Sequence, residues 1–347
     1  MGSGKTTSFD IAHRAGVSQA TVSRALRDSP LVNPETREKV KKIARELNYQ
    51  VDRAAAGLRS QQTNTLAILL FEDPTSDDSQ INPFFLSMLG NITRAAARRN
   101  YDVLVSFQQL SDDWHIKYQV SNRADGIILL GYGEYSGIVD KVKNLNAVGA
   151  HFVIWGATGP GLDGRTIGCD NASGAFDACS HLIALGRKNI AFFGGITKNS
   201  PEFKHRYEGY CNALRSVGVK ADPGLQFDAD SQETSGASAT LALLESGKPF
   251  DAIFAASDLI AMGAIKELRK AGIGVPTDVS VVGFDNIPAA SYFNPSLTTV
   301  HQDTIAAGEQ LVSQLVGMIK GEQRESQLLQ PSLVIRGSCG GKAASSE

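Results

Sequence analysis

Apolar positions in the first sixty residues recur at helical spacing in three short groups. Phe9, Ile11, Ala12, Ala15 and Val17 form the first, broken at Gly16. Val22, Ala25 and Leu26 form the second, behind Ser18, whose hydroxyl suits an N-cap. The third opens with Asn33-Pro34-Glu35: a capping amide, a proline where no N–H is needed, and an acid near the positive helix end. Its inner face is Val40, Ile43, Ala44 and Leu47. From Thr65 the texture changes. Short apolar runs at 66–71, 102–107, 126–130, 152–155, 190–193, 252–255 and 279–284 alternate with helical patterns at 85–100, 172–185, 207–217, 236–244 and 259–271. Strands rich in Ile, Val, Leu and Phe, separated by helices, predict parallel sheets covered on both faces. The units are too many for one small open sheet. The expected fold is therefore an α-helical helix-turn-helix head plus an α/β body of two lobes, each a doubly wound parallel sheet.

Between head and body, residues 53–59 (Arg-Ala-Ala-Ala-Gly-Leu-Arg) have the length of two helical turns. Nucleating so short a helix is costly, and Gly57 weakens it further, so conditional folding is expected. The expected division is a helical head at 1–50, a hinge or linker at 51–63 and an α/β body at 64–340, with a tail at 341–347. Within the body, lobe 1 is assigned to about 64–165 and 297–325, and lobe 2 to about 166–292 and 326–340. Residues 337–347 are polar and rich in small residues, so disorder rather than a helical zipper is expected there, with the tail proper at 341–347.

Charge sharpens this picture. Residues 1–60 carry an excess of five positive charges and the remainder an excess of seven negative ones, for a net charge of −2. A basic head on an acidic body suggests a polyanion-binding module fused to something else. No apolar run approaches the roughly 18 residues that cross a bilayer, and the N-terminus lacks a secretory apolar stretch. No membrane is expected as a partner, and the expected location is the cytoplasm, in association with the nucleoid. Cys169, Cys179, Cys211 and Cys339 form no CxxC pair and have no histidines at ligand spacing beside them, so neither a metal nor a cofactor is expected.

Asp10-Ile11-Ala12, Ala15-Gly16-Val17-Ser18 and Thr21-Val22-Ser23-Arg24-Ala25-Leu26 together read as a helix-turn-helix. The glycine permits the tight turn, and the second helix presents polar side chains from its N-terminal end to the major groove. A plain three-helix bundle would account for the apolar pattern but not for the basic balance and the polar face.

This string, followed by Thr36-Arg37-Glu38-Lys39-Val40, Glu46-Leu47-Asn48-Tyr49 and Arg53-Ala54-Ala55-x-x-Leu58, resembles the LacI/GalR family of bacterial regulators. The body continues the resemblance in Pro83-Phe84-Phe85, Asp170-Asn171-x-x-Gly174, Arg206-x-x-Gly209-Tyr210, Asp258-x-x-Ala261-x-Gly263 and Gly283-Phe284-Asp285-Asn286. The resemblance implies a homodimeric transcription regulator, read as a repressor, on palindromic operator DNA. It places Gln19, Ala20 and Arg24 at base-reading positions and Thr7, Ser18, Thr21 and Ser23 at phosphate-holding ones. Arg24 suits guanine and Gln19 adenine, while Ala20 can only touch a thymine methyl or make room. Ala55 and Leu58 fall at the hinge, where Leu58 would wedge into the minor groove.

The resemblance also implies a small polar effector, a sugar or sugar phosphate, held between the lobes. Arg206 offers a forked donor set and Asp285 a bidentate acceptor, a combination that grips vicinal hydroxyls. Asp258 and its neighbour Ser257 are second-tier candidates; Phe84 and Trp155 are candidate stacking faces, although a lone aromatic is more often core. Asp170 either bonds the ligand or organises the inter-lobe turn. Ser231 stands where several relatives carry an aromatic, which predicts a roomier or more polar pocket.

Two other classes fit part of the pattern. A carbohydrate-binding transport receptor shares the two-lobed body but would carry an export signal and no helix-turn-helix. A sugar-metabolising enzyme would need a phosphate loop or an acid/base pair. Gly2-Ser3-Gly4-Lys5-Thr6-Thr7 lacks the first glycine of a phosphate loop, and Gly131-Tyr132-Gly133-Glu134-Tyr135-Ser136-Gly137 misses dinucleotide spacing by one residue. No catalytic residues are expected.

Overall fold

The computed structural model describes residues 6–49, 63–71, 81–108, 118, 121, 123–131, 135–159, 161–197 and 200–341. The chain divides into two compact units, residues 1–63 and 64–347.

In the first unit, helix α1 (Ser8–Ala15) begins where Thr7 donates its backbone N–H and its hydroxyl to the Asp10 carboxylate, at 2.8 and 2.7 Å. Gly16 ends it at φ 69°, a left-handed conformation open to glycine at little cost. Ser18 then caps α2 (Gln19–Leu26) by accepting the Thr21 N–H. Asn33 caps α3 (Pro34–Glu46) by accepting the Glu35 N–H, with Pro34 in the first turn, as the pattern predicts. Ile11, Val22, Ala25 and Val40 interlock at the centre, fully buried. Burying an aliphatic side chain of this size contributes roughly 1.5–3 kcal/mol, enough for a few of them to fix the α1–α2 angle. Phe9 departs from the expected inner face: it is 66% exposed in the first turn of α1.

The second unit holds two six-stranded sheets. Strands β1 (Thr65–Phe71), β2 (Asp102–Gln108), β3 (Gly126–Leu130), β4 (Phe152–Trp155), β5 (Thr166–Cys169) and β11 (Gln327–Leu329) build lobe 1 in the order β11-β5-β4-β3-β1-β2, all parallel. Strands β6 (Ile190–Phe193), β7 (Gln226–Phe227), β8 (Ala252–Ala255), β9 (Ser280–Asp285), β10 (Thr298–His301) and β12 (Ser332–Val334) build lobe 2 in the order β12-β10-β9-β8-β6-β7. Among the described strands, only β12 runs antiparallel to its neighbour. Residues 66–71 are buried without interruption, as expected of a parallel strand covered by helices on both faces.

Helices α4 (Pro83–Arg98), α5 (Tyr135–Ala147) and α11 (Thr304–Ile319) belong to lobe 1. Helices α6 (Asn171–Ala184), α7 (Pro201–Ser216), α8 (Glu233–Glu245), α9 (Asp258–Lys270) and α10 (Ala289–Tyr292) belong to lobe 2. The strand assignment corrects the expected lobe boundaries. Strands β5 and β11 pair within lobe 1, and β10 pairs within lobe 2, so the chain crosses between lobes after Cys169, after His301 and after Leu329. The stretch 337–340, expected to be disordered, is instead folded: Gly337–Cys339 forms a 3-10 turn whose Ser338 and Cys339 are buried. Ser338 anchors it by donating to the Val281 carbonyl at 2.6 Å and accepting the Thr298 N–H at 2.9 Å.

Candidate functional site

The head exposes the face that the sequence marks for DNA. Ala20 and Arg24 are exposed on α2, and Arg24 makes no hydrogen bond or ion pair among the described residues. Gln19 is half-buried and donates from Nε2 to the Ser8 hydroxyl at 2.8 Å, so α1 fixes its direction. Ser18 and Thr21 hydroxyls lie 2.9 Å apart at the amino end of α2, where unpaired backbone N–H groups favour an anion. Arg27 donates to the hydroxyl of Ser23 at 3.0 Å and places a further positive charge on the same helix. Thr7 is held by Asp10, whose carboxyl those bonds keep below the usual carboxylate range, the backbone N–H having the largest effect. Ala55 and Leu58 lie outside the described residues.

In the body, the expected ligand groups converge at the carboxyl ends of the strands, where the chain crosses between lobes. Arg206 is carried by α7, and Gly209 one turn later lets α7 approach α6 closely: a Cβ there would stand 2.8 Å from that of Ala175. The approach brings Arg206 Nε within 2.8 Å of Asn171 Oδ1, while Nη1 donates to the Ala256 carbonyl and stands 3.6 Å from Asp285 Oδ1. The guanidinium carbon stands over Phe284, 3.8 Å from the ring centroid. Asp285, the last residue of β9, adopts φ 117°, a conformation sparsely populated by any residue with a side chain. Its Oδ1 also accepts from Gln302 Nε2 at 2.7 Å. Arg206 is 1% exposed and Asp285 3%, so the pair is shut away from solvent in this arrangement of the lobes.

Among the described residues, two hydrogen bonds join side chains or loops of the two lobes. Asn82 Nδ2, at the start of α4, donates to Ser231 Oγ at 3.1 Å. The Ala157 N–H, just beyond β4, donates to Glu202 Oε1 in the first turn of α7 at 3.1 Å. Asp170 stands half-buried at the first crossover, capping α6 through the Ser173 N–H and joined by its own N–H to the Leu329 carbonyl of the third. It organises the inter-lobe turn, one of its two expected roles.

Four candidates occupy other surroundings than a ligand surface requires. Asp258 is fully buried, and both oxygens are used: Oδ1 accepts from the Thr299 hydroxyl at 2.5 Å and Oδ2 from the Ile287 N–H at 2.8 Å. It therefore ties β10 and the turn after β9 to the start of α9. Burial, and secondarily the charge of Asp285, push its carboxyl well above the usual range. Ser257, also fully buried, caps α9 by accepting the Ile260 N–H. Phe84 and Trp155 are buried in the hydrophobic core with ring centroids 6.1 Å apart. The sequence reading did not single out Asn171, Gln302, Asn82 or Glu202. Asn171 lay within a quoted motif and Gln302 directly after a strand; Asn82 and Glu202 carry no local signal.

Burial pushes the Cys169 thiol, close to this cluster, up to about 12, against a smaller pull downward from Arg206. That excludes a reactive thiolate there. No group of three or more metal-ligating side chains occurs among the described residues, and no helix among them is long and apolar enough to cross a membrane.

Comparison with known proteins follows the same division. Residues 9–52 match the family model of bacterial regulatory proteins of the lacI family, and residues 179–339 match a periplasmic binding protein-like domain. The HTH-type transcriptional repressor CytR of Escherichia coli (strain K12) is 31% identical over 338 residues, covering 96% of each chain. Among solved structures, a complex of the transcriptional regulator CelR with cellobiose is 30% identical, with a TM-score of 0.72 over 96% of this chain and 99% of that one. The lac repressor dimer bound to operator and the anti-inducer ONPF is 25% identical, with a TM-score of 0.81 over 97% and 99%.

Proposed function

The chain belongs to the lacI family of bacterial regulatory proteins, and from that premise we propose how this DNA-binding transcription regulator, which is not an enzyme, divides its work. Arg24 reads a guanine in each half-site of a palindromic operator, and Gln19, aimed by Ser8, reads an adjacent base while Ala20 admits a thymine methyl. Thr7, Ser18, Thr21 and Ser23 hold phosphates around the amino ends of α1 and α2. The active species is a homodimer, since two heads are needed for two half-sites. The hinge is taken as residues 51–63, with 53–59 becoming helical on operator DNA and Ala55 and Leu58 at the minor groove. The setting is the cytoplasm, at the nucleoid.

The effector is a small polyhydroxyl compound, a sugar or sugar phosphate, taken up when the lobes part at the three crossovers. Arg206 and Asp285 grip adjacent hydroxyls, with Asn171 and Gln302 fixing their rotamers. Asp258 and Ser257 hold the frame beneath. The single observation that carries this reading is the Arg206–Asp285 pair, buried and 3.6 Å apart where the chain passes between lobes. A polar pair so placed costs desolvation free energy that a purely structural role recovers poorly. Cellobiose in the CelR complex supports a sugar as the ligand class. The reading as a repressor is supported by the name of the CytR relative.

The test is selection of duplexes from a random library by the purified full-length protein, repeated with a panel of sugars and sugar phosphates. A palindromic consensus whose retention changes with one of these compounds is the expected result. Recovery of unselected sequence under every condition would refute the proposal.

A further inference from the structure

We propose that lobe 1 carries a second small-molecule site, for a metabolite bearing one carboxylate or phosphate group, with Arg165 as its anchor. A cavity of about 770 Å³ opens where His151 leads into β4 and Arg165 into β5. Its walls are the loop joining those strands, the end of α11 and the segment 321–326. The Arg206–Asp285 cleft lies at the carboxyl ends of the strands and contributes no residue to it. The two sites are separate.

The walls are tied to one another. Gln314 of α11, itself buried, donates from Nε2 to the Gly164 carbonyl at 2.8 Å and to the Glu325 carbonyl at 3.0 Å. The Ser326 hydroxyl repeats the tie, donating to the Leu162 carbonyl at 3.2 Å and accepting the Thr166 N–H at 3.3 Å. Gly164, at φ 67°, allows the close approach: a Cβ there would stand 2.2 Å from the Arg324 carbonyl oxygen. The cavity therefore exists before any ligand arrives, and its volume falls in the range of metabolite pockets.

Arg165 is the group these walls leave unbalanced. It is half-buried, with its guanidinium carbon 4.4 Å from the Phe152 ring centroid. Its hydrogen bonds all leave from Nη1: to the Ala150 carbonyl at 3.3 Å, the Phe152 carbonyl at 3.5 Å and Met318 Sδ at 3.9 Å. Among the described residues, Nε and Nη2 meet no acceptor, and no carboxylate stands within ion-pair distance. Burial lowers the pKa of this guanidinium below its ordinary value. A cation drawn partly out of water without a counter-charge is costly, and a bound anion restores the balance. The Nε–Nη2 edge is the fork that takes two oxygens of a carboxylate or phosphate. At the rim, the exposed carboxylates of Asp163 and Glu325 accept from hydroxyls or an amine and repel a second negative group. The ligand is thus anionic at one end and hydrogen-bond donating at the other.

Hydrogen exchange of the full-length protein, read by mass spectrometry, tests this with gluconate, glycerol 3-phosphate and neutral glucose as probes. Gluconate marks a carboxylate ligand and glycerol 3-phosphate a phosphate one. At least one of the two is expected to slow exchange in peptides spanning 149–166 and 318–326, and glucose to leave them unchanged. Arg165→Gln is expected to weaken that binding about tenfold, the loss typical of hydrogen bonds to a charged group. Arg165→Lys keeps the charge without the fork and is expected to fall between. Melting each variant without ligand shows whether it folds, and Arg165→Lys carries the comparison if Arg165→Gln does not. Protection by neither anion overturns the proposal, as does equal affinity in the variants and the parent. Protection confined to peptides around Arg206 and Asp285 overturns it too, because the anion then occupies the cleft alone. A response of those cleft peptides to glucose is expected to survive Arg165→Gln, so failure at one site is read separately from failure at the other.

Discussion

Asn82 and Ser231, 149 positions apart, share a 3.1 Å hydrogen bond that joins the start of α4 in lobe 1 to the loop before α8 in lobe 2. The Ala157–Glu202 bond spans the same two lobes. If both hold one closed arrangement, loss of the first loosens the second. A net hydrogen bond is worth about 0.5–1.5 kcal/mol, so Ser231→Ala is expected to speed exchange of the Ala157 amide by about two- to tenfold. Amide exchange followed by mass spectrometry checks this. Equal protection in the variant and the parent would show that the two bonds act independently.

The sequence disclosed most of the architecture because parallel strands buried on both faces leave unbroken apolar runs, as at β1, β3 and β8. Strands such as β7, β11 and β12 span only two or three residues and show no period. The exchange of β5, β10 and β11 between the expected lobes is set by long-range pairing, which no local pattern records. In the site, Arg206 and Asp285 were legible through their motifs. Asp258 looked like a ligand group because it follows a strand, and only its tertiary partners Thr299 and Ile287 reveal that both oxygens are engaged. Glu202 is one more exposed-looking helix acid until the fold brings Ala157 to it.

Asp258 makes stability depend on pH. Its carboxyl is raised well above the ordinary 3.8, chiefly by burial. Between that value and its native one, the unfolded chain has released the proton while the folded chain keeps it. Folded stability contributed by this group is therefore complete below 3.8 and falls as pH rises through the window. Asp258→Asn, which cannot ionise, is expected to flatten the fall in Tm across it. Thermal melts of both proteins at a series of pH values provide the check, and parallel curves would assign the dependence elsewhere.

Removing one member of the buried pair should cost more than exchanging a surface charge. Arg206→Ala leaves Asp285, Asn171 Oδ1 and the Ala256 carbonyl without their shared donor. Breaking a buried ion pair from one side typically costs about 3–5 kcal/mol. Arg206→Lys keeps the charge but not the fork that reaches three acceptors, so an intermediate loss is expected. Urea unfolding monitored by tryptophan fluorescence would measure both, and a loss below about 1 kcal/mol in Arg206→Ala would contradict the coupling described.

Arg24 and Ser18 should separate base reading from phosphate holding. Arg24 is exposed on α2 without a partner among the described residues, so its replacement disturbs no internal bond. Arg24→Ala is expected to erase discrimination at one position of each half-site, about 1–3 kcal/mol per lost bidentate contact, while unfolding stability stays constant. Ser18 caps α2 through the Thr21 N–H, so Ser18→Ala costs about 1 kcal/mol of stability as well. Its effect on binding should be uniform across sequences, because a phosphate contact carries no base information. Ser8→Ala adds a finer distinction: it releases Gln19 from its 2.8 Å bond and should broaden preference at the neighbouring base while leaving Arg24's position sharp. Binding titrations of the three variants against a set of singly substituted operators decide the matter. A uniform loss in Arg24→Ala, or a position-specific one in Ser18→Ala, would reverse the roles assigned to the two ends of the helix.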